Sequence, residues 1–251
     1  MRKNEAPPPQ LADIRAAFGL LTRLPVTDAA PRGAQAGWAY PLAGMAVGLI
    51  AGIAGLFAHW FGLPAALAAL AALSTQIILT GAMHEDGLAD TVDGLWGGWT
   101  RPQRLEIMKD SHIGTFGTLA LMLSLSARWA ALWLLFEVDG TWALAALVAT
   151  GALSRAVMPA LMRGLPNARG AGLSRGVGRP TWRIVSWGAG LATIVAIVLL
   201  GWSGIGAVIC ALLATVAVGW IAQSKIGGQT GDILGAAQQI AEIAVLLSII
   251  A

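Results

Sequence analysis

Three carboxylates in the stretch HEDGLADTVDG, namely Asp86, Asp90 and Asp93, fall at i, i+4 and i+7. At about 100° per residue that spacing predicts a single helical face for all three. Charges so close repel one another. At roughly 6 Å and an effective dielectric of about 20, each pair costs on the order of 3 kcal/mol. In open water the cost is small, but beside an apolar run a bound cation is the cheaper solution. Hard oxygen ligands favour Mg²⁺, with Mn²⁺ as the alternative ion, over zinc. Mg²⁺ takes one or two carboxylates and completes its octahedron with water and substrate phosphates. Glu85 projects off this face and reads as solvated. His84 reads as a ligand, a base or a polar residue at the start of the helix, and His112 is similar. Gly87 and Gly94 flank the carboxylates, with Gly97 and Gly98 after them. They would let a bulky phosphorylated ligand reach the backbone; ordinary turn glycines are the other reading.

Cationic segments accompany this cluster. Arg101, Arg104 and Lys109 follow it, together with Asp110, Ser111, Gly114 and Gly117. Cations beside a Mg²⁺–carboxylate site suit a pyrophosphate-bearing substrate, and they also serve as topogenic charge. Residues 163–183 are rich in glycine and arginine and hold no acidic residue. That charge fits anionic lipid heads, topology or a clamp on substrate phosphate. Further on, Lys225-Ile226-Gly227-Gly228-Gln229-Thr230-Gly231-Asp232 offers glycine-rich backbone at a helix N-terminus, where N–H groups can meet a phosphate. Asp232 reads there as an N-cap or as one more metal ligand.

Apolar helices must position these segments. The 251 residues are 57% hydrophobic and 12% charged, with a mean hydropathy of +0.71. A soluble domain carries about a quarter charged residues, so lipid is the main solvent here. Spans of about 20 apolar residues are predicted near 38–60, 64–83, 116–136, 141–162, 184–202, 205–222 and 233–251. The breaks at Gly62-Leu63-Pro64 and Trp202-Ser203-Gly204 fit tight turns between antiparallel helices. The expected fold is all-α, a polytopic integral membrane protein with about seven transmembrane helices. It forms one membrane-embedded domain over 1–251, of which 1–37 is a cytoplasmic or interfacial N-terminal segment.

The basic residues test this parsing. When the segments between spans are assigned to alternating sides, every Lys and Arg outside the spans falls on the side of the N-terminus and the aspartates. The positive-inside rule puts that side in the cytoplasm and the C-terminus outside. Only Arg128 and Arg155 lie within spans, where a charge is costly enough to suggest function. The other reading is a pair with another helix, Glu242 being the candidate, and Trp129 beside Arg128 favours packing. Leu11, Ile14, Phe18 and Leu21 form an apolar stripe with Asp13, Arg15 and Arg23 off it; an interfacial helix and an ordinary packed one fit equally. The start, MRKNEAPPPQ, runs into prolines and not into the apolar core of a signal peptide. Cys210 reads as a small buried hydrophobe, and His59 as interfacial packing.

Several segments run in a recognisable order: TRLPV at 22–26, YPLAG at 40–44, HEDGLADTVDGLWGG at 84–98 and RLEIMKDSHIGTFG at 104–117. Ser154-Arg155, the AR…GL pattern at 168–173 and KIGGQTGDILGA at 225–236 continue it across nearly the whole chain. Together they resemble the cobalamin synthase family, adenosylcobinamide-GDP ribazoletransferase. The resemblance implies a bacterial inner-membrane enzyme that joins α-ribazole, or its 5′-phosphate, to adenosylcobinamide-GDP. The products are adenosylcobalamin, or its 5′-phosphate, and GMP. It further implies that Asp86, Asp90 and Asp93 hold Mg²⁺, with Asp232 contributing. Asp90, Asp93 and His84 would be catalytic. Lys109, Asp110, Lys225 and Thr230 would line the substrate site, joined by Arg101, Arg104, Ser111, Arg155, Arg169 and Gly228. Glu85 stands where many relatives carry an apolar residue and receives no role; Ser224 replaces what is often a second basic residue. The implied partners are the two substrates and the bilayer, with a homo-oligomer allowed and no nucleic acid. A CDP-alcohol phosphatidyltransferase, the nearest rival, would carry an Arg soon after the first Asp-Gly and would lack the GGxTGD segment. A transporter would gather its charges near mid-membrane.

Overall fold

Long apolar runs satisfy their backbone hydrogen bonds internally only as helices. Among the described residues, 9–26 and 32–251, the computed structural model is helical throughout and has no strand. The chain order begins with α1 (Leu11–Leu21) and a 3₁₀ turn, Gly33–Ala39, that continues into α2 (Tyr40–Trp60). Next come α3 (Ala65–Thr80), α4 (Met83–Gly97), α5 (Arg101–Ile107), α6 (Thr115–Val138) and α7 (Gly140–Gly164). The order ends with α8 (Leu173–Val177), α9 (Trp182–Leu200), α10 (Trp202–Ile226) and α11 (Gly231–Ile250).

Six helices are long and apolar enough to cross a membrane, and a seventh span appears if the bent pair α3 and α4 is counted as one. The expected boundaries agree with the helices to within a few residues, 64–83 against α3 included; what differs is the course of the chain after α3. Helix α3 has 16 residues, roughly 24 Å at 1.5 Å per residue, and stops at Thr80. Gly81 and Ala82 follow it with φ of 63° and 56°, both left-handed. Gly81 ends the helix without a Cβ penalty, while Ala82 bears a cost of about 1–2 kcal/mol. The chain then turns by 85° into α4. The acidic stretch therefore does not emerge along the second span; it runs sideways across one end of the bundle and is not itself a span.

Helix α7 is the central post. It buries nearly all of its circumference, from Ala146 through Met162, as expected for a helix that is apolar all round. Its seam with α2 is backbone against backbone: a Cβ on Gly44 would collide with the Gly151 carbonyl, and one on Gly48 with the Leu147 carbonyl. Such close approach of small residues is how helices associate in lipid. The outer faces of α9 and α10 leave Ile194, Val198, Leu212 and Val216 exposed, a surface that suits lipid tails. Cys210 on α10 is half-buried and not enclosed.

Helix α1 follows the packed-helix alternative. Ala17 and Leu21 join the core while Leu11 stays exposed. Asp13, expected off the buried face, turns inward and accepts hydrogen bonds from Arg32 Nε at 2.8 Å and Trp38 Nε1 at 3.0 Å. Burial alone would raise its pKa; the bonds from Trp38 and Arg32 outweigh that and hold it below the usual carboxylate value.

Candidate active site at the crossing of α4 and α11

Helices α4 and α11 cross at two glycines. A Cβ on Gly87 would come within 3.0 Å of the Asp232 carbonyl oxygen, and one on Gly235 within 3.3 Å of the Gly87 and His84 Cα atoms. Gly87 therefore admits a helix and not a ligand. The same holds for Gly94, which accommodates Met108 and the Arg104 carbonyl. This crossing brings Asp86 and Asp232, distant in sequence, to the lip of one cavity of about 260 Å³ with Arg169 and Thr230. Arg169 Nη1 lies 2.9 Å from Asp232 Oδ2. Thr230, not Asp232, caps α11: its hydroxyl accepts from the Ile233 amide at 3.3 Å and lies 3.2 Å from Asp232 Oδ2.

The three aspartates of α4 diverge in environment. Asp86 is exposed and Asp90 is half-buried one turn on. Burial, and then the like charges of Asp86 and Asp232, push Asp90 up to about 7. Asp93 is buried and turned towards α6, accepting from the Gly114 amide at 2.7 Å and the Gly117 amide at 2.8 Å. It anchors the N-terminus of α6, where a carboxylate is favoured by the helix dipole. It thus meets α6 and is engaged away from the cavity.

Among the described residues no three His, Cys, Asp or Glu side chains close on one point as a ready-made metal cage. The expected fourfold ligand set therefore does not assemble. What the crossing supplies is a smaller hard-oxygen set, Asp86 and Asp232 with Asp90 beside them, crowded enough to retain a proton. That chemistry fits a Mg²⁺ that takes one or two carboxylates and fills its remaining positions with water and phosphate.

Several expected substrate residues serve the scaffold. Arg101 donates to the Ala168 carbonyl at 3.2 Å, and Arg104 to the Gly98 and Lys225 carbonyls at 3.0 Å each. These bonds brace α5 against the ends of α7 and α10. Gly228, at φ 159°, lets the 227–230 loop pass beneath the Pro166 carbonyl, which accepts from the Gln229 amide at 2.8 Å. Lys109, Asp110 and Ser111 are exposed on the loop before α6; Asp110 accepts from His112 Nδ1 at 2.7 Å. The structure does not bring those three, or Lys225, into the cavity.

Below the cavity lies a closed polar network, of which the sequence showed only the pairing of a span arginine with Glu242. Arg128 on α6 pairs with Glu85 at 2.8 Å and Glu242 at 2.9 Å and donates to Gln239 at 2.8 Å. Gln238 bonds Ser154 at 3.0 Å. Glu85, expected in solvent, is thus a buried counter-ion. Arg155, expected to bind substrate, borders this network and not the cavity; it donates only to the Gly151 carbonyl, at 3.4 Å. Its charge and that of Arg128 match the two glutamates. His84 lies between network and cavity at 2% exposure. Burial, with Arg155 and Arg128 nearby, holds its pKa well below the usual histidine value.

Leu21, Tyr40, Met83, Met158 and Met162 supply a largely apolar face of the cavity, which His84, Asn167, Ser174 and Arg175 line as well. Met83, Met158 and Met162 read in the sequence as ordinary span positions, Leu21 as part of the N-terminal apolar stripe and Tyr40 as the start of the YPLAG segment; nothing in their spacing sets them together. Ser174, from the arginine-rich segment, closes one side and bonds Gln229 at 2.6 Å.

Residues 13–250 match the family described as Cobalamin-5-phosphate synthase. The chain belongs to that family. It is 46% identical over 240 residues to the adenosylcobinamide-GDP ribazoletransferase of Mesorhizobium japonicum, covering 94% of this chain and 92% of that one. The proteins of the same name from Bradyrhizobium diazoefficiens and Brucella ovis are each 44% identical. They cover 94% and 96% of this chain, and 92% and 96% of their own lengths. No solved structure matches. Membership of the cobalamin synthase family displaces the CDP-alcohol phosphatidyltransferase and transporter readings.

Proposed function

We propose that this member of the cobalamin synthase family joins α-ribazole, or its 5′-phosphate, to adenosylcobinamide-GDP at the Asp86–Asp232 lip, with Mg²⁺, and releases GMP. The observation that carries the site is the convergence of Asp86 and Asp232 with Arg169 on one cavity, with Asp90 one turn on and within reach of their charges. A ribose hydroxyl of ribazole attacks the phosphorus on the cobinamide side. The new P–O bond forms as the bond to the bridging oxygen breaks, and GMP leaves with that oxygen. Asp86 and Asp232 would hold the metal, which when bound neutralises the diphosphate and the departing GMP. Arg169 pairs with phosphate oxygens as its hold on Asp232 is shared. Asp90 takes the hydroxyl proton, since a carboxyl near neutrality suits a general base.

The basic ends of the helices support a location in the inner membrane with the site towards the cytoplasm. Among the described residues, every Lys and Arg other than Arg128 and Arg155 belongs to the end of the bundle that carries the cavity, as the positive-inside rule requires of a cytoplasmic face.

The test uses protein purified in detergent with both substrates and Mg²⁺, and reads GMP release. Turnover is expected to need both substrates and the metal. Asp86→Asn and Asp232→Asn are each expected to lower kcat by about a hundredfold or more while the protein stays folded. Full activity after chelation, or in either variant, would remove the metal role.

A further inference from the structure

The cavity has two unlike faces. Asp86, Arg169, Arg175 and Asp232 give it charge and His84, Asn167, Ser174 and Thr230 polar groups, whereas Tyr40, Met83, Met158, Met162 and Leu234 supply a face without a charged side chain. Met158 and Met162 sit one turn apart on α7 and both are buried. Thioethers make favourable contacts with aromatic rings and adapt to their edges. A guanine base laid against Met83, Met158 and Met162 would bring ring N–H, amino and carbonyl groups to side chains that offer them no partner, which is costly. A dimethylated benzimidazole presents hydrocarbon at the same edge. Size points the same way. About 260 Å³ lies just below the roughly 300–1,000 Å³ of pockets for drug-sized ligands, room for one base with its ribose and far too little for a corrin macrocycle carrying a nucleotide.

We propose that this cavity is the base pocket of the acceptor. The benzimidazole ring of ribazole lies against Tyr40, Met158 and Met162, and its ribose reaches the lip at Asp86 and Asp232. Adenosylcobinamide-GDP meets it from outside, so that only the diphosphate arrives at the carboxylates. Met162 and Met158 then set the size of base the enzyme accepts. This assignment rests on the transferase reading above.

The experiment measures GMP release by the full-length protein in detergent, varying each substrate in turn, alongside equilibrium binding of the ribosides. Three acceptors are compared: the ribosides of benzimidazole, 5,6-dimethylbenzimidazole and a tricyclic naphthimidazole. The wild-type protein is expected to prefer the dimethyl riboside over the tricyclic one by about tenfold or more. Met162→Ala is expected to raise the KM for the dimethyl riboside about tenfold, to leave the KM for adenosylcobinamide-GDP within about twofold, and to narrow the gap to the tricyclic riboside. Met158→Leu, nearly conserving volume, is expected to change the ranking of bases without loss of fold. A KM change confined to adenosylcobinamide-GDP would assign the cavity to guanosine and overturn the proposal. An unchanged base ranking in both variants would overturn it as well. Wild-type protein that binds the riboside through Met162 yet releases no GMP would fail the transferase reading and keep the pocket.

Discussion

Asp90 shows how one residue records its neighbours. An aspartate in the unfolded chain titrates near 3.8, whereas Asp90 in the fold holds its proton up to about 7. The folded state therefore binds more protons than the unfolded one between those values, and stability falls as pH rises through that window. Metal-free protein is expected to melt at a lower temperature at pH 8 than at pH 5. Mg²⁺ should recover the difference chiefly at pH 8, where no proton competes for the carboxylates. Thermal unfolding in detergent, with and without Mg²⁺, checks this. Asp90→Asn should flatten the pH profile; an unchanged profile would mean that another group titrates there.

At the scale of elements, the site depends on how closely α4 lies on α11. Gly87 faces the Asp232 carbonyl with no room for a side chain. Gly87→Val should push the helices apart, separate Asp86 from Asp232 and lower kcat at least tenfold, since misplacement by about 1 Å can cost about a hundredfold. Retained Mg²⁺ affinity and rate in a folded variant would show that the two carboxylates do not act together. The 85° turn between α3 and α4 has the same purpose. It lays the acidic helix across the bundle's end, where its aspartates can meet residues more than 130 positions away.

At the scale of the molecule, charge buried between helices closes the structure beneath the site. Arg128 joins α6 to α4 through Glu85 and to α11 through Glu242. Arg128→Met leaves two carboxylates buried without their partner, a loss of about 3–5 kcal/mol, measurable by unfolding in detergent. A change below about 1 kcal/mol would show that water already solvates the network.

The amino-acid sequence determined a good deal by itself. Hydropathy set the all-α architecture and most span limits, because a span must bury its own hydrogen bonds whatever its neighbours are. The spacing of Asp86 and Asp90 marked the reacting end, and the ordered segments marked the family. Only the tertiary structure decided which polar residues face one another. Periodicity reports a helix face but not what that face meets, so Asp93 turned to α6, Glu85 to Arg128 and Arg155 to a closed interior. The apolar wall of Tyr40, Met158 and Met162 was likewise out of reach, since buried apolar residues on separate helices look alike until packing leaves a cavity among them.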